Sequence, residues 1–64
     1  MNINETWKNN NNGPTVKIVK IIPNFHKKIV YYDVIEKGST GFDIGIECQG
    51  DMDWFVQNYS LIAD

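Results

Sequence analysis

The chain has no arginine and a single cysteine, Cys48, in 64 residues. One thiol excludes an internal disulfide and a thiolate-built structural zinc site. Stability must then come from packing or self-association rather than from covalent or metal staples. The missing arginines remove the planar fork that phosphate recognition favours. No apolar run exceeds four residues, far short of the ~20 that a membrane-spanning helix needs. The first residues carry neither a basic start nor an apolar stretch, so no signal peptide is expected and a cytoplasmic location is. In that setting Asn4-Glu5-Thr6 and Asn58-Tyr59-Ser60 are chance matches to the glycosylation pattern.

What is present is short. A chain of about 60 residues buries only roughly 60% of its unfolded surface. We therefore expect one domain, 1–64, with loose ends at 1–5 and 63–64, a flexible loop at 9–14 and one small core. Such a scaffold has little room for a small-molecule pocket. The net charge of −2 is too weak to mark a nucleic-acid binder. It is unevenly spread, however. Residues 1–28 hold five lysines against Glu5, a net of +4, and residues 29–64 hold Lys37 against seven acids, a net of −6. Antiparallel strands can interleave such charges as cross-strand pairs. The alternative is two faces of opposite sign that steer a charged partner.

Strand periodicity dominates the chain. Residues 15–22 are almost all β-branched, but the alternation slips once, with Val16 and Ile18 on one face and Val19 and Ile21 on the other. A bulge near Ile18 and Val19 reconciles them. Pro23 should end that strand because it cannot donate to a ladder, leaving 23–27 as a turn. Residues 28–35 are apolar on both faces, which predicts a central strand. Gly38 to Gly41 reads as a loop. From 42 to 48, Phe42, Ile44, Ile46 and Cys48 alternate with Asp43, Gly45 and Glu47. That pattern predicts a half-buried strand, with Gly45 on its outer face open to a close neighbour. After a turn at 49–52, Asp53 is placed to cap a helical turn over 54–58. Short strands at 6–8 and 60–62 complete the chain. Five strands with one helical turn before the last predict a mainly β, small five-stranded SH3-like barrel.

On residues 15–19, 29–32, 46–48, Phe55 and 59–62, the chain resembles the short SH3-like proteins encoded by tailed phages and bacterial accessory genomes. The match runs from Val16 to Ile62, about three-quarters of the chain, mostly at core positions. The asparagine loop and the acidic turn at Asp51 and Asp53 depart from that pattern. The resemblance implies a fold and a mobile-element origin, with action by engaging a host protein. It implies no catalytic activity, since fold does not carry function.

The reactive side chains are few. Cys48 ends an apolar strand face, where a thiol is buried and inert. His26 lies in a turn beside Lys27 and Lys28, a poor setting for a base or a metal ligand. Asp51 and Asp53 lack the further oxygens of a calcium loop. Asp33 sits among Ile29, Tyr31 and Ile35, so it needs a lysine or tyrosine partner or an edge position. Trp54 and Phe55 cannot share the inward face, so one of them is exposed, and an exposed tryptophan is a common interface anchor. These features predict no catalytic residues, no cofactor and no metal. The first reading is a small protein-binding module that modulates a host or defence protein through Trp54, ringed by Asp51, Asp53, Glu47 and Asp43. The second is a nucleic-acid-binding domain using Lys17, Lys20, Lys27 and Lys28, with Trp7 or Phe25 stacking on bases. Neither reading involves a membrane, and a homo-oligomer is compatible with both.

Overall fold

The structure is a computed structural model that describes residues 1–63. Five antiparallel strands form one sheet in the order β4-β3-β2-β1-β5. They are β1 (Thr6–Asn9), β2 (Thr15–Asn24), β3 (Lys27–Glu36), β4 (Glu47–Asp51) and β5 (Tyr59–Ala63). Helix α1 (Met52–Asn58) stands directly before β5. The fold class is therefore the one the sequence predicts, with the strand order and helix position of an SH3-like barrel. Among the described residues no ladder joins β4 to β5, so the barrel stays open along that seam. The sheet nonetheless curls, since the rings of Tyr32 on β3 and Tyr59 on β5 lie 5.7 Å apart.

The core fills the inside of that curl. Val16, Ile18, Val30, Tyr32, Val34, Phe55 and Tyr59 are buried, with Met1, Trp7, Ile21, Cys48 and Met52 packed around them. Phe55 is its centre. It stacks on Tyr59 at 4.3 Å, lies 4.9 Å from Tyr32, and meets the edge of Trp7 at 5.4 Å. Each such pair adds about 0.5–1.5 kcal/mol beyond the apolar area it buries.

The predicted bulge is present. Ile18 faces Tyr32 and Lys20 faces Tyr31, so Val19 is the extra residue. That one insertion lets Val16, Ile18 and Ile21 all serve the core. Pro23, by contrast, does not end β2, because it pairs across from Lys28. The reason is local. β1 reaches only Lys17 on β2, and upstream of β1 Ile18 still exchanges hydrogen bonds with Asn4 and Glu5. Beyond the bulge the far side of β2 is a free edge, where proline is tolerated. The β2–β3 hairpin thus overhangs the body, and the molecule measures 34 × 19 × 19 Å.

The alternating stretch at 42–48 is the main correction. Only Glu47 and Cys48 belong to β4, and Phe42, Ile44 and Ile46 are exposed. Asp43 Oδ1 accepts the Ile44 N–H at 2.8 Å, and the Ile46 N–H returns to the Asp43 carbonyl at 3.3 Å. Gly45, at φ 90°, occupies the third position of that turn, where a positive φ favours glycine. Nothing lies within 4 Å of where its Cβ would stand, so its role is conformational rather than one of side-chain close approach. Asp and Gly two apart are turn chemistry, and here that outweighs period-two alternation.

The start of the chain and the asparagine loop both make backbone hydrogen bonds to the body. The Asn4 N–H donates to the Ile18 carbonyl at 2.8 Å, and the Ile18 N–H to the Glu5 carbonyl at 3.0 Å. Asn9 Oδ1 accepts from the Asn11 and Gly13 N–H groups, and the Asn12 carbonyl accepts from Ser39 and Thr40. Ala63 pairs with Thr6 in the sheet, and the other end residue, 64, lies outside the described residues.

Glu5 lies just before β1 with little of its surface exposed. Its Oε1 accepts the Asn2 N–H at 2.8 Å and the Trp7 Nε1–H at 3.3 Å. The Asn2 hydrogen bond, chiefly, holds its carboxyl below the usual value of 4.5. A carboxyl with a depressed folded value supports folding at neutral pH and loses that support as pH falls through the folded value. The melting temperature should therefore drop on acidification below about 4.5. Glu5→Gln keeps an oxygen for both donors but cannot ionise. It should melt lower than the wild type at pH 7 and depend less on pH in the acid range, as thermal unfolding followed by circular dichroism will show.

Candidate protein-binding surface at the hairpin tip and helix shoulder

The overhanging hairpin closes with two residues, Phe25 and His26, between the paired Asn24 and Lys27. Phe25 takes φ 58°. A positive φ at the first loop position is the geometry of a type II′ turn, which favours glycine there. A phenylalanine in that conformation is strained by about 1–2 kcal/mol. Its side chain is also 100% exposed, so no packing within the molecule offsets the cost. Strain of this kind concentrates at functional sites. Phe25→Gly should relieve it. After the entropy that glycine adds to the unfolded chain, a gain of about 0.5–1 kcal/mol remains. The check is a urea or thermal melt.

The helix shoulder lies at the same end of the body. Asp51, not Asp53, caps α1, as its Oδ1 accepts the Asp53 N–H at 2.8 Å and the Trp54 N–H at 3.4 Å. The helix accordingly begins two residues earlier than predicted. The Asp51 carboxyl is raised by burial, but these two hydrogen bonds and Lys27 bring it below its usual range. Lys27 Nζ lies 3.6 Å from Asp51 Oδ2, a bridge between the hairpin and the cap.

Trp54 is 48% exposed. Its six-membered ring lies over Gly50, where an added Cβ would meet Cε3 at 3.2 Å. Its centroid is 6.3 Å from that of Tyr59. It thus spans from β4 to β5 across the open seam, with its outer part in solvent. Phe55, its neighbour, takes the inward position, as the incompatibility of the two predicts. Gly50 is thus a position where the Trp54 ring leaves little room for a side chain.

The remaining predicted residues divide. Asp53 is exposed in the first turn of α1, beside Trp54. Glu47 is four residues from Asp51 along β4, roughly 13 Å at strand rise, and Asp43 lies further off in the loop. No hydrogen bond or ion pair among the described residues joins either of them to the Trp54 shoulder. Of the lysines, Lys17 stands across from Asp33, Lys20 Nζ lies 5.0 Å above the Tyr31 ring, Lys27 is on Asp51, and Lys28 is exposed opposite Pro23. Lys17 and Lys27 therefore have an acid across from them, and Lys20 and Lys28 do not. Trp7 is partly buried, packed edge-on to Phe55 and donating to Glu5.

Reactive groups are sparse among the described residues. Burial, with the nearby charge of Asp33, pushes the Cys48 thiol above its usual value, which keeps it protonated. No grouping of three or more His, Cys, Asp or Glu is placed to share a metal ion. Among the described residues no pocket opens in the surface, and no helix is long and apolar enough to cross a membrane. Comparison with protein-family models, curated proteins and solved structures finds no match for this chain.

Sequence reasoning treated the acidic, aromatic surface and the lysine-bearing hairpin as alternatives. The Lys27–Asp51 bridge joins them into one end of the molecule. Phe25 enters the sequence reading only as a base-stacking residue, and its conformation has little sequence signal. The one available hint was a bulky residue in a tight loop after Pro23-Asn24, where glycine is the ordinary choice.

Proposed function

We propose that this protein is a non-catalytic binding module that engages another protein with the tip of its β2–β3 hairpin and the Trp54 shoulder of α1. The observation that carries this reading is Phe25, a fully exposed aromatic held in a conformation that disfavours it. An aromatic anchor at the same end of the molecule as a half-exposed tryptophan, with Lys27, Lys28, Asp51 and Asp53 as a polar rim, has the composition of a protein–protein hot spot. Modulation of a host or defence protein belongs to the same proposal and rests on the resemblance to phage-borne SH3-like proteins. The nucleic-acid reading is the weaker of the two, because Lys17, Lys20 and Lys27 face Asp33, Tyr31 and Asp51 and Trp7 is engaged inside.

Affinity capture from source cells, followed by mass spectrometry, tests the proposal. The wild type should retain a specific protein, and Trp54→Ala should lose it while keeping a folded circular dichroism spectrum. Retention of the same protein by Trp54→Ala at full yield removes Trp54 from the site. A gel shift with single-stranded and duplex DNA at low salt should show no complex, whereas one that weakens steeply with added salt would favour the second reading.

A further inference from the structure

The sheet has two free edges, and they are guarded differently. β4 (Glu47-Cys48-Gln49-Gly50-Asp51) carries an acid at each end. β5 (Tyr59-Ser60-Leu61-Ile62-Ala63) carries no charge, proline or glycine, and both Leu61 and Ile62 are exposed. An unguarded edge of this composition is a template for a further strand. We propose that β5 pairs antiparallel with β5 of a second copy of this chain, about a two-fold axis, to form a dimer with a continuous ten-stranded sheet. This edge adjoins the Trp54 shoulder at Tyr59, where the two ring centroids lie 6.3 Å apart, but lies away from the hairpin tip.

Two-fold symmetry identifies the occupant. In such a pairing each residue meets itself or its mirror position across the axis. Centred on Leu61, β5 sets Leu61 against Leu61, Ser60 against Ile62 and Tyr59 against Ala63, with no like charges opposed. The same operation on β4, centred on Gln49, sets Glu47 against Asp51 twice, and directly opposed like charges destabilise a sheet. Pairing β4 with β5 of a neighbour is head-to-tail and does not close on two copies. The uncharged edge is the one that fits itself. A standard interface covers about 800 Å² on each partner, close to a fifth of the 4273 Å² surface of this protein. A five-residue ladder flanked by Leu61 and Ile62 covers less, so the dimer should be weak and concentration-dependent.

Sedimentation velocity of the full chain tests this between about 10 µM and about 1 mM, the range suited to an interface below standard size. The wild type should pass from monomer to dimer across that range. Ile62→Lys places a charge on the edge at a position that the β1 register skips, so it should leave the melting temperature unchanged and weaken association at least tenfold. Amide hydrogen exchange on the wild type provides a readout independent of that variant. The β5 amides should gain protection as concentration rises. Phe25→Gly should associate as the wild type does, which separates this surface from the hairpin tip. A wild type that stays monomeric throughout, or β5 amides whose exchange ignores concentration, overturns the proposal.

Discussion

Phe55→Ala should leave the chain largely unfolded at room temperature. Phe55 has no exposed surface, and it touches the rings of Trp7, Tyr32 and Tyr59. Truncating a buried phenylalanine costs about 3–5 kcal/mol. At roughly 0.05–0.15 kcal/mol per residue, a domain of this size has only about 3–10 kcal/mol in total. The loss is also structural. α1 meets β3, β4 and β5, and Phe55 is its one buried residue, so removing the ring releases the element that spans the open seam. Circular dichroism and a urea titration will read this directly. A cooperative transition at the wild-type midpoint would show that the aromatic cluster is not the centre of the core.

Gly38→Ala should be the most damaging change available outside the core. An added Cβ at Gly38 would collide with the carbonyl group of Gly13 and lie 2.6 Å from the carbonyl oxygen of Asn12. These are backbone atoms and cannot turn aside as a flexible side chain can. The same Asn12 carbonyl accepts the Ser39 and Thr40 N–H groups at 2.8 and 3.2 Å. The collision would therefore separate the β1–β2 loop from the β3–β4 connection and strand two amide donors. Forced overpacking of this kind costs about 1–3 kcal/mol, several degrees or more in Tm for so small a domain. A thermal melt gives the value. Ser39→Ala removes only a side chain from the same loop and serves as the control that should leave Tm unchanged.

The parts of the fold that were legible in the sequence are those where apolar pattern and backbone chemistry agree. The slip between Ile18 and Val19 marks a bulge because only a bulge lets Val16, Ile18 and Ile21 face one core. The pairing of strands, and a helical turn before the last of them, follow from the same kind of pattern. Where the two signals conflict, pattern alone misleads. Phe42, Ile44 and Ile46 alternate as a strand does, but Asp43 and Gly45 form a turn within the alternation and leave all three side chains in solvent. Asp51 and Asp53 are equally good caps by type, and only the observed hydrogen bonds decide between them. The candidate site was half legible. Trp54 could be singled out because it abuts Phe55, which must face inward. The bridge from Lys27 to Asp51 spans 24 positions in sequence and depends on how far the hairpin overhangs the body. No local signal records that distance.

The surface that results unites a strained aromatic tip, a half-exposed tryptophan and a salt-bridged rim on one end of an open barrel. The two aromatics differ in what they contribute to the fold. Trp54 also covers Gly50 and Tyr59, so its removal mixes stability with recognition. Phe25 touches nothing, and its replacement by glycine should strengthen the fold. Under the proposed function, stability and binding are set in opposition at this position, as expected of a residue kept for binding.

The most direct measurement is a comparison of wild type and Phe25→Gly in the same quantitative capture, with both melted under the same conditions. The expected result is a higher Tm for Phe25→Gly together with a loss of at least about tenfold in recovered partner, as for an aromatic hot spot worth ~1.4 kcal/mol or more. Equal recovery of the partner by a Phe25→Gly protein that is as stable as the wild type or more so would contradict the assignment of the hairpin tip as the binding surface.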